Sequence, residues 1–278
     1  MKRFALIGRH LQHSYSQRWF EELFARLGLE DHSYELKEMP TLDGLREWVQ
    51  TEHISGFNVT VPYKQEILPH LDAMDETATA IGAVNCVTVE RVSKLQSDQV
   101  SESLSHSAIR LVGHNTDAPA FRDTLSSFIT HHSSLITQSY ILGTGGAARA
   151  VAYALGQLGI PYTFVSRHPE KWAVASNQWS VIGYNQLFTS HLSPFTLIVN
   201  ATPVGMYPAV DKTPLDITHA FKHSRIHAFV YDLIYNPSPT LLMREAAACG
   251  AQVKDGLEML HCQAELCWEL FRSTTNFS

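Results

Sequence analysis

The sequence predicts an α/β protein of two domains. Three observations carry that expectation. Strand-like and helix-like segments alternate along the chain, which favours parallel strands covered by helices. The length of 278 residues suffices for about two domains at ~150 residues each. A glycine-rich turn, Gly143-Thr144-Gly145-Gly146, sits between one such strand and one such helix.

The elements follow in order. Phe4 to Ile7 is apolar and stops at Gly8, as a first strand would. Ser16 to Leu27 places Trp19, Phe20, Leu23, Phe24 and Leu27 on one helical stripe, and Gly28 follows as a C-terminal stop. Tyr34 to Met39 reads as a strand and Leu42 to Thr51 as a helix. Gly56 to Val61 reads as a strand in which Val59 and Val61 alternate with Asn58 and Thr60, the period of a strand with one buried face. Pro62 has no N–H to give, so pairing ends there, and Lys64 follows. Such an end can hold Asn and Thr donors and one titratable amine around a small polar ligand. Val92 to Ile109 is rich in serine and predicts an exposed loop or irregular hairpin.

A second domain is expected to begin near residue 116. Ala118 to Phe128 looks helical. The strand Tyr140 to Leu142, the glycine turn and the helix Ala147 to Leu158 come next, and Gly159 and Pro161 close that helix. Strands are predicted at Tyr162 to Val165, Leu197 to Val199 and Phe229 to Tyr231. Helices are predicted at Thr240 to Cys249 and Leu257 to Phe271, the last with Leu260, Ala264, Cys267 and Phe271 along one face.

Bulk properties exclude several classes. The chain is 45% hydrophobic and 17% charged, as in ordinary globular proteins. A net charge of −6 argues against a general nucleic-acid binder, which needs clustered Lys and Arg. No stretch approaches the ~18 apolar residues of a membrane span. Residues 1–8 are too short in apolar length for a signal peptide. Cys86, Cys249, Cys262 and Cys267 lack paired metal spacing and read as reduced thiols. The expectation is a cytoplasmic protein with no bound metal, no nucleic-acid partner and no membrane partner.

The glycine turn matches G-x-G-x-x-A with Gly143, Gly145 and Ala148. The first glycine permits the tight turn, the second lets backbone approach a pyrophosphate, and the small third residue lets helix and strand pack closely. The helix N-terminus then offers N–H groups and a positive dipole end to the anion. After the next strand an NAD site usually carries Asp or Glu for the ribose hydroxyls. Here Ser166-Arg167 stands instead, and arginine suits a 2′-phosphate by charge and fork geometry. The cofactor expected is therefore NADP.

Taken in order, the motifs resemble those of the shikimate dehydrogenase family. They are His13-Ser14-Tyr15-Ser16, Asn58 to Lys64, Gly82-Ala83-Val84-Asn85, Asn115-Thr116-Asp117, the glycine turn, Asn200 to Met206, Asp232-Leu233-Ile234-Tyr235, Gly256 to Leu260 and Gln263-Ala264. The resemblance covers nearly the whole chain. It implies an α/β substrate-binding domain at residues 1–115 plus 238–278, with the C-terminal helices returning to it. A Rossmann-type NADP-binding domain would occupy residues 116–237. The implied reaction is the reversible, NADPH-dependent reduction of 3-dehydroshikimate to shikimate, in aromatic amino-acid biosynthesis.

The resemblance also implies site residues. Ser14 and Ser16 would hold the substrate carboxylate, with Tyr235 nearby. Asn58, Thr60, Asn85 and Gln263 would bind ring hydroxyls. Lys64 and Asp117 would be the catalytic pair. The cofactor would meet Gly143, Thr144, Gly145, Gly146, Ala147, Ser166, Arg167, Leu233 and Gly256. The chemistry of these residues agrees: neutral donors and acceptors read a small polar ring well, because a missing hydroxyl leaves a buried polar group unpaired. Lys64 can give a proton during carbonyl reduction and take it back in reverse, or can polarise the oxygen by charge alone.

Each residue also has a plainer reading. Ser14 and Ser16 could be helix caps, Asn85 a turn residue and Asp117 the cap of the following helix. Three departures from the family pattern stand out: Ala118-Pro119-Ala120 after Asp117, Ser166 where Asn is usual, and a serine-rich stretch before Gly113 longer than the usual connection. Rival readings are a quinate/shikimate dehydrogenase with relaxed substrate or NAD use, another small-acid NADP dehydrogenase, and a non-catalytic nucleotide- or metabolite-sensing module. Monomer and homodimer both remain open.

Overall fold

The computed structural model describes residues 1–11, 14–92, 108–130, 136–173, 179–189, 195–221 and 228–275. The chain forms two compact units, Met1–Thr116 with Gln263–Ser278, and Asp117–Cys262.

The first unit contains β1 (Lys2–Gly8), α1 (Ser16–Leu27), β2 (His32–Glu38), α2 (Leu45–Thr51), β3 (Ile54–Val59), α3 (Tyr63–Glu66), β4 (Ala73–Met74), α4 (Glu76–Ile81), β5 (Cys86–Val92) and β6 (Ala108–His114). These strands make one sheet in the order β2-β1-β3-β5-β6-β4. β1 runs parallel to β2 and β3, whereas β5 is antiparallel to both β3 and β6. The expectation of parallel strands therefore fails for β5. β5 and β6, consecutive in the chain, pair instead as the two antiparallel arms of a hairpin.

Apolar clusters cover both faces of this sheet. One holds Ile7, Val49, Phe57, Val59, Val87 and Leu111. The other holds Phe4, Leu6, Phe20, Phe24, Tyr34, Cys86 and residues near the C-terminus, Ala264, Cys267 and Phe271. The stripe of α1 supplies Phe20, Leu23 and Phe24, and Gly28 closes the helix at φ 67°, as its sequence foretold.

One strand expectation needs correction, and the expected loop or hairpin is in part described. The strand expected to reach Val61 ends at Val59, and Val61 is 68% exposed. A central strand is buried on both faces, so the alternation through Val61 marked chain leaving the sheet, not one buried face. The stretch Val92 to Ile109 is a hairpin at its ends, with Val92 paired to Ala108 and Arg91 to Ile109, while residues 93–107 lie outside the described residues.

The second unit contains α5 (Asp117–Phe128), β7 (Gln138–Leu142), α6 (Gly146–Gln157), β8 (Tyr162–Ser166), α7 (Glu170–Ala173), β9 (Val181–Gly183), α8 (Tyr184–Thr189), β10 (Thr196–Asn200), α9 (Ile217–Phe221), β11 (Phe229–Asp232), α10 (Leu241–Ala248) and β12 (Gln252–Lys254). The final helix α11 (Leu257–Thr275) begins here. All strand pairs are parallel, in the order β12-β11-β10-β7-β8-β9. Ligands in such sheets bind at the strand carboxyl ends where the order reverses, here between β7 and β10.

Residues 238–262, expected in the first domain, belong to the second unit. β12 pairs with β11, and Leu242 and Ala246 of α10 join the core with Tyr140, Ile198 and Val230. The return to the first unit begins at Gln263. Among the described residues no helix is long and apolar enough to cross a membrane.

Candidate functional site

In the first unit the expected substrate-side residues gather at the carboxyl end of β1 and β3. Thr60 leaves β3 with its N–H donating to Ile7 O at 3.0 Å, and its own carbonyl accepts from Tyr63 N at 2.9 Å. Pro62 then precedes α3, and Lys64 is the second residue of that helix, half-buried. The Lys64 carbonyl accepts from Val84 N at 2.8 Å, which anchors α3 to the segment leading into Asn85. Gly8 explains how the loop after β1 reaches this corner. A Cβ there would stand 2.7 Å from Thr60 Cγ2 and 2.6 Å from Leu11 Cδ2, so no larger residue fits without displacement.

That loop carries Ser14, and Ser16 opens α1. The Ser14 hydroxyl accepts from Ser16 N at 3.3 Å at the start of α1, and neither side chain is fully buried. His13 lies outside the described residues. The N-cap position of α1 is Tyr15, with no side-chain cap, so the capping role considered for Ser16 is not filled by it.

Asn85 sits between β3 and β6. Its carbonyl accepts from Val59 N at 2.8 Å and its N–H donates to His114 O at 3.1 Å. Its side-chain amide donates to Thr116 Oγ1 at 2.9 Å and to Gln263 Oε1 at 3.3 Å, and its Oδ1 accepts from Thr116 N at 2.8 Å. Asn85 and Gln263, 178 residues apart, are thus in contact. Asn58 differs from the other expected contacts. It is 6% exposed, and its amide is engaged inside the fold by Tyr34, Cys267 and the Asn85 carbonyl.

Below this group, His114 bridges Asp75 and Thr88, at 2.9 and 3.0 Å. Burial pushes the Asp75 carboxyl up, but the bonds from His114 and the Ala78 N–H outweigh it and hold it below the usual range.

In the second unit the glycine turn follows β7 and opens α6. Gly143 has φ 102°, and a Cβ there would meet Thr202 Cγ2 at 3.0 Å and Ala201 O at 3.3 Å. The turn therefore leans on the loop after β10, the neighbour across the switch point. Gly145 is exposed, with nothing within 4 Å of where its Cβ would be. The open space at Gly145 and the α6 N-terminus fit a pyrophosphate. At the end of β8, Ser166 is buried and its hydroxyl accepts from His168 N at 3.1 Å. Arg167 is exposed and close enough to Tyr184 to oppose the upward push that burial gives that phenol.

The remaining expected residues follow. Leu233 N donates to Asn200 O at 3.0 Å, and Gly256 N donates to Ile234 O at 3.1 Å. A Cβ on Gly256 would lie 2.1 Å from Leu233 O, so these two expected cofactor residues abut and only glycine fits. Tyr235 is half-buried just beyond β11, and Asp117 is the buried first residue of α5.

Two buried residues with no role assigned from sequence organise this edge. Asp232 accepts from Asn200 Nδ2 (2.9 Å), Ile234 N (3.1 Å) and Thr240 Oγ1 (2.8 Å). Asn200 Oδ1 in turn accepts from Thr202 N and Oγ1. Burial dominates over the three donors and pushes the Asp232 carboxyl up to about 6. Both residues stand inside motifs visible in the sequence, but only their complete burial gives them this function.

A family model described as the shikimate dehydrogenase substrate binding domain matches residues 6–87. A Caldicellulosiruptor saccharolyticus protein named shikimate dehydrogenase (NADP(+)) is 30% identical over 287 residues, covering 100% of this chain and 95% of its own. The chain belongs to the shikimate dehydrogenase family. A second relative of that name, from Shouchella clausii, is 32% identical and covers 95% of this chain and 90% of its own. Among solved structures, shikimate 5-dehydrogenase from Thermus thermophilus, in complex with NADP(H) and shikimate, superposes with a TM-score of 0.75 at 32% identity. That match covers 98% of this chain and 94% of the other. The family match at residues 6–87 contains Ser14, Ser16, Asn58, Thr60, Lys64 and Asn85. Gln263 lies outside the matched stretch of this shikimate dehydrogenase family member, yet the fold brings it to Asn85.

Proposed function

We propose that this chain is an NADP-dependent shikimate dehydrogenase, catalysing the reversible reduction of 3-dehydroshikimate to shikimate in aromatic amino-acid biosynthesis. The observation that carries this reading is the full-length relationship to proteins named for that activity, at 30% identity over 100% of the chain.

The residues divide by chemistry. Ser14 and Ser16 offer hydroxyl donors to the substrate carboxylate, with Tyr235 beside it. Thr60, Asn85 and Gln263 offer the neutral donors and acceptors that distinguish ring hydroxyls. The turn from Gly143 through Thr144, Gly145 and Gly146 to Ala147 fits a pyrophosphate at the α6 N-terminus, and Ser166 with Arg167 fits a ribose 2′-phosphate. Leu233 and Gly256 close the cofactor side. When bound, NADPH supplies the hydride for the ring carbonyl. Lys64 supplies the proton to the carbonyl oxygen during reduction and recovers it in the oxidative direction, and Asp117 is the second member of the catalytic pair. Acid–base help of this kind contributes roughly 10²–10⁴-fold in rate.

Absorbance assays with shikimate and quinate, each with NADP and NAD, test the reading. Turnover of shikimate with NADP above the other three combinations is expected. Preference for quinate, or for NAD, would replace it with the broader quinate/shikimate activity, and no turnover with any pair would refute it.

A further inference from the structure

We propose that Asn58 and Cys267 are positioning residues that hold the substrate-side amides of Asn85 and Gln263 from beneath, and that Asn58 does not itself meet the ligand. The proposal rests on the assignment of Asn85 and Gln263 to the substrate ring.

Hydrogen-bond direction carries the argument. The group of Asn58 that lies 3.2 Å from the Asn85 carbonyl must be the amide NH₂, because a carbonyl only accepts. The second NH₂ hydrogen then goes to Cys267 Sγ at 2.9 Å. Asn58 Oδ1 accordingly faces the Tyr34 hydroxyl at 2.8 Å, and that hydroxyl donates. Burial among apolar neighbours raises the Tyr34 phenol well above its usual range, so it remains a donor throughout the working pH range. Both amide hydrogens of Asn58 are therefore committed within the protein.

The sulfur passes this order on. Cys267 Sγ stands 3.1 Å from Thr116 Oγ1 and 3.9 Å from Gln263 Oε1. Thr116 Oγ1 and Gln263 Oε1 both accept from the Asn85 amide, at 2.9 and 3.3 Å. One chain thus runs from Tyr34 through Asn58 and Cys267 to the two residues that face the ring, buried as far as Asn85 and part-buried at Gln263. Each buried link polarises the next, and removal of one partner leaves the others unsatisfied. Helix periodicity places Gln263 and Cys267 one turn apart on α11, so the thiol sits directly behind the glutamine.

Three variants test the proposal: Cys267→Ala, which deletes the sulfur, Cys267→Ser, which restores a small donor and acceptor, and Tyr34→Phe, which cuts the chain at its far end. Cys267→Ala and Tyr34→Phe should each raise KM for shikimate about fivefold, the order expected for one lost hydrogen bond. KM for NADP should stay within about twofold, and Cys267→Ser should return KM for shikimate to within about twofold of wild type. A purely structural role would lower the melting temperature without this split. An unchanged KM for shikimate in both deletion variants would overturn the proposal.

A second readout needs no substrate. The side-chain amide NMR resonances of Asn58 and Asn85 should both shift in Cys267→Ala, and a stationary Asn85 resonance would overturn the claim by itself. If wild type fails to oxidise shikimate, the functional reading falls, and the resonances alone then decide whether the chain of bonds holds Asn85.

Discussion

Lys64 and Arg167 carry the most direct expectations at the scale of single residues. Lys64→Ala should lower kcat by about 10²-fold or more with an unchanged melting curve, as loss of an acid–base group does. Steady-state kinetics beside thermal denaturation would check it, and near-normal kcat would remove Lys64 from the reaction. Arg167→Ala should weaken NADPH more than NADH, because only the former carries the 2′-phosphate. Fluorescence titration with both nucleotides would measure this, and equal losses would mean that Arg167 does not read that phosphate.

Asp232 gives a pH dependence. Its folded value of about 6 lies above the ordinary 3.8, so its contribution to stability is fully present below 3.8 and is lost as pH rises through about 6. The shift corresponds to about 3 kcal/mol. The melting-temperature gap between wild type and Asp232→Asn should therefore narrow as pH rises from about 4 to about 7. A gap independent of pH would show that the carboxyl titrates alike in both states.

At the scale of elements, Gly256 is the sharpest constraint. Gly256→Ala sets a methyl group against the Leu233 carbonyl, and backbone cannot yield as a side-chain tip can. A loss of about 1–3 kcal/mol in urea denaturation is expected, with a raised KM for NADP. Long elements with a clear stripe, such as α1, were legible from their apolar spacing and glycine stop. β9 and β12, with three residues each, are too short to show a period, and pairing with neighbours defines them instead. β5 and β6 do alternate, through Val87 and Val89 against Thr88, and through Ile109 and Leu111. The serine-rich composition between them masked that signal.

The candidate site was legible as a set of ordered motifs but not as a set of roles. Thr60, Lys64, Asn85 and the glycine turn could be named because their chemistry is local to short motifs. The commitment of Asn58 to inward bonds could not, since it depends on Tyr34 and Cys267, the latter 209 residues away. Asn200 and Asp232 were likewise visible as letters, while their work depends on burial that no local pattern encodes.

At the scale of the whole molecule, chain order and domain order differ. The first unit is completed by residues that follow the entire second unit, among them Ala264, Cys267 and Phe271 in its core. Ending the chain after Cys262 should therefore unfold the first unit. It would strip the cluster around Phe4 and Phe20, including the Phe4–Phe271 ring contact at 4.9 Å. Circular dichroism and limited proteolysis of the shortened protein would test this, and a protease-resistant first unit would contradict it. During synthesis the first unit then cannot reach its final packing until the last helix has emerged.

The β5–β6 hairpin joins its two ends at its base, where Asn85 grips Thr116, and its ladder runs through seven pairs from Cys86 with His114 to Val92 with Ala108. Such a ladder acts as an insulating stem. Among the described residues, those seven pairs separate Val92 and Ala108 from the amides at the stem's foot. The hairpin is accordingly a lever arm: a strand pair of that length fixes the direction in which the chain leaves Asn85 and returns to Thr116.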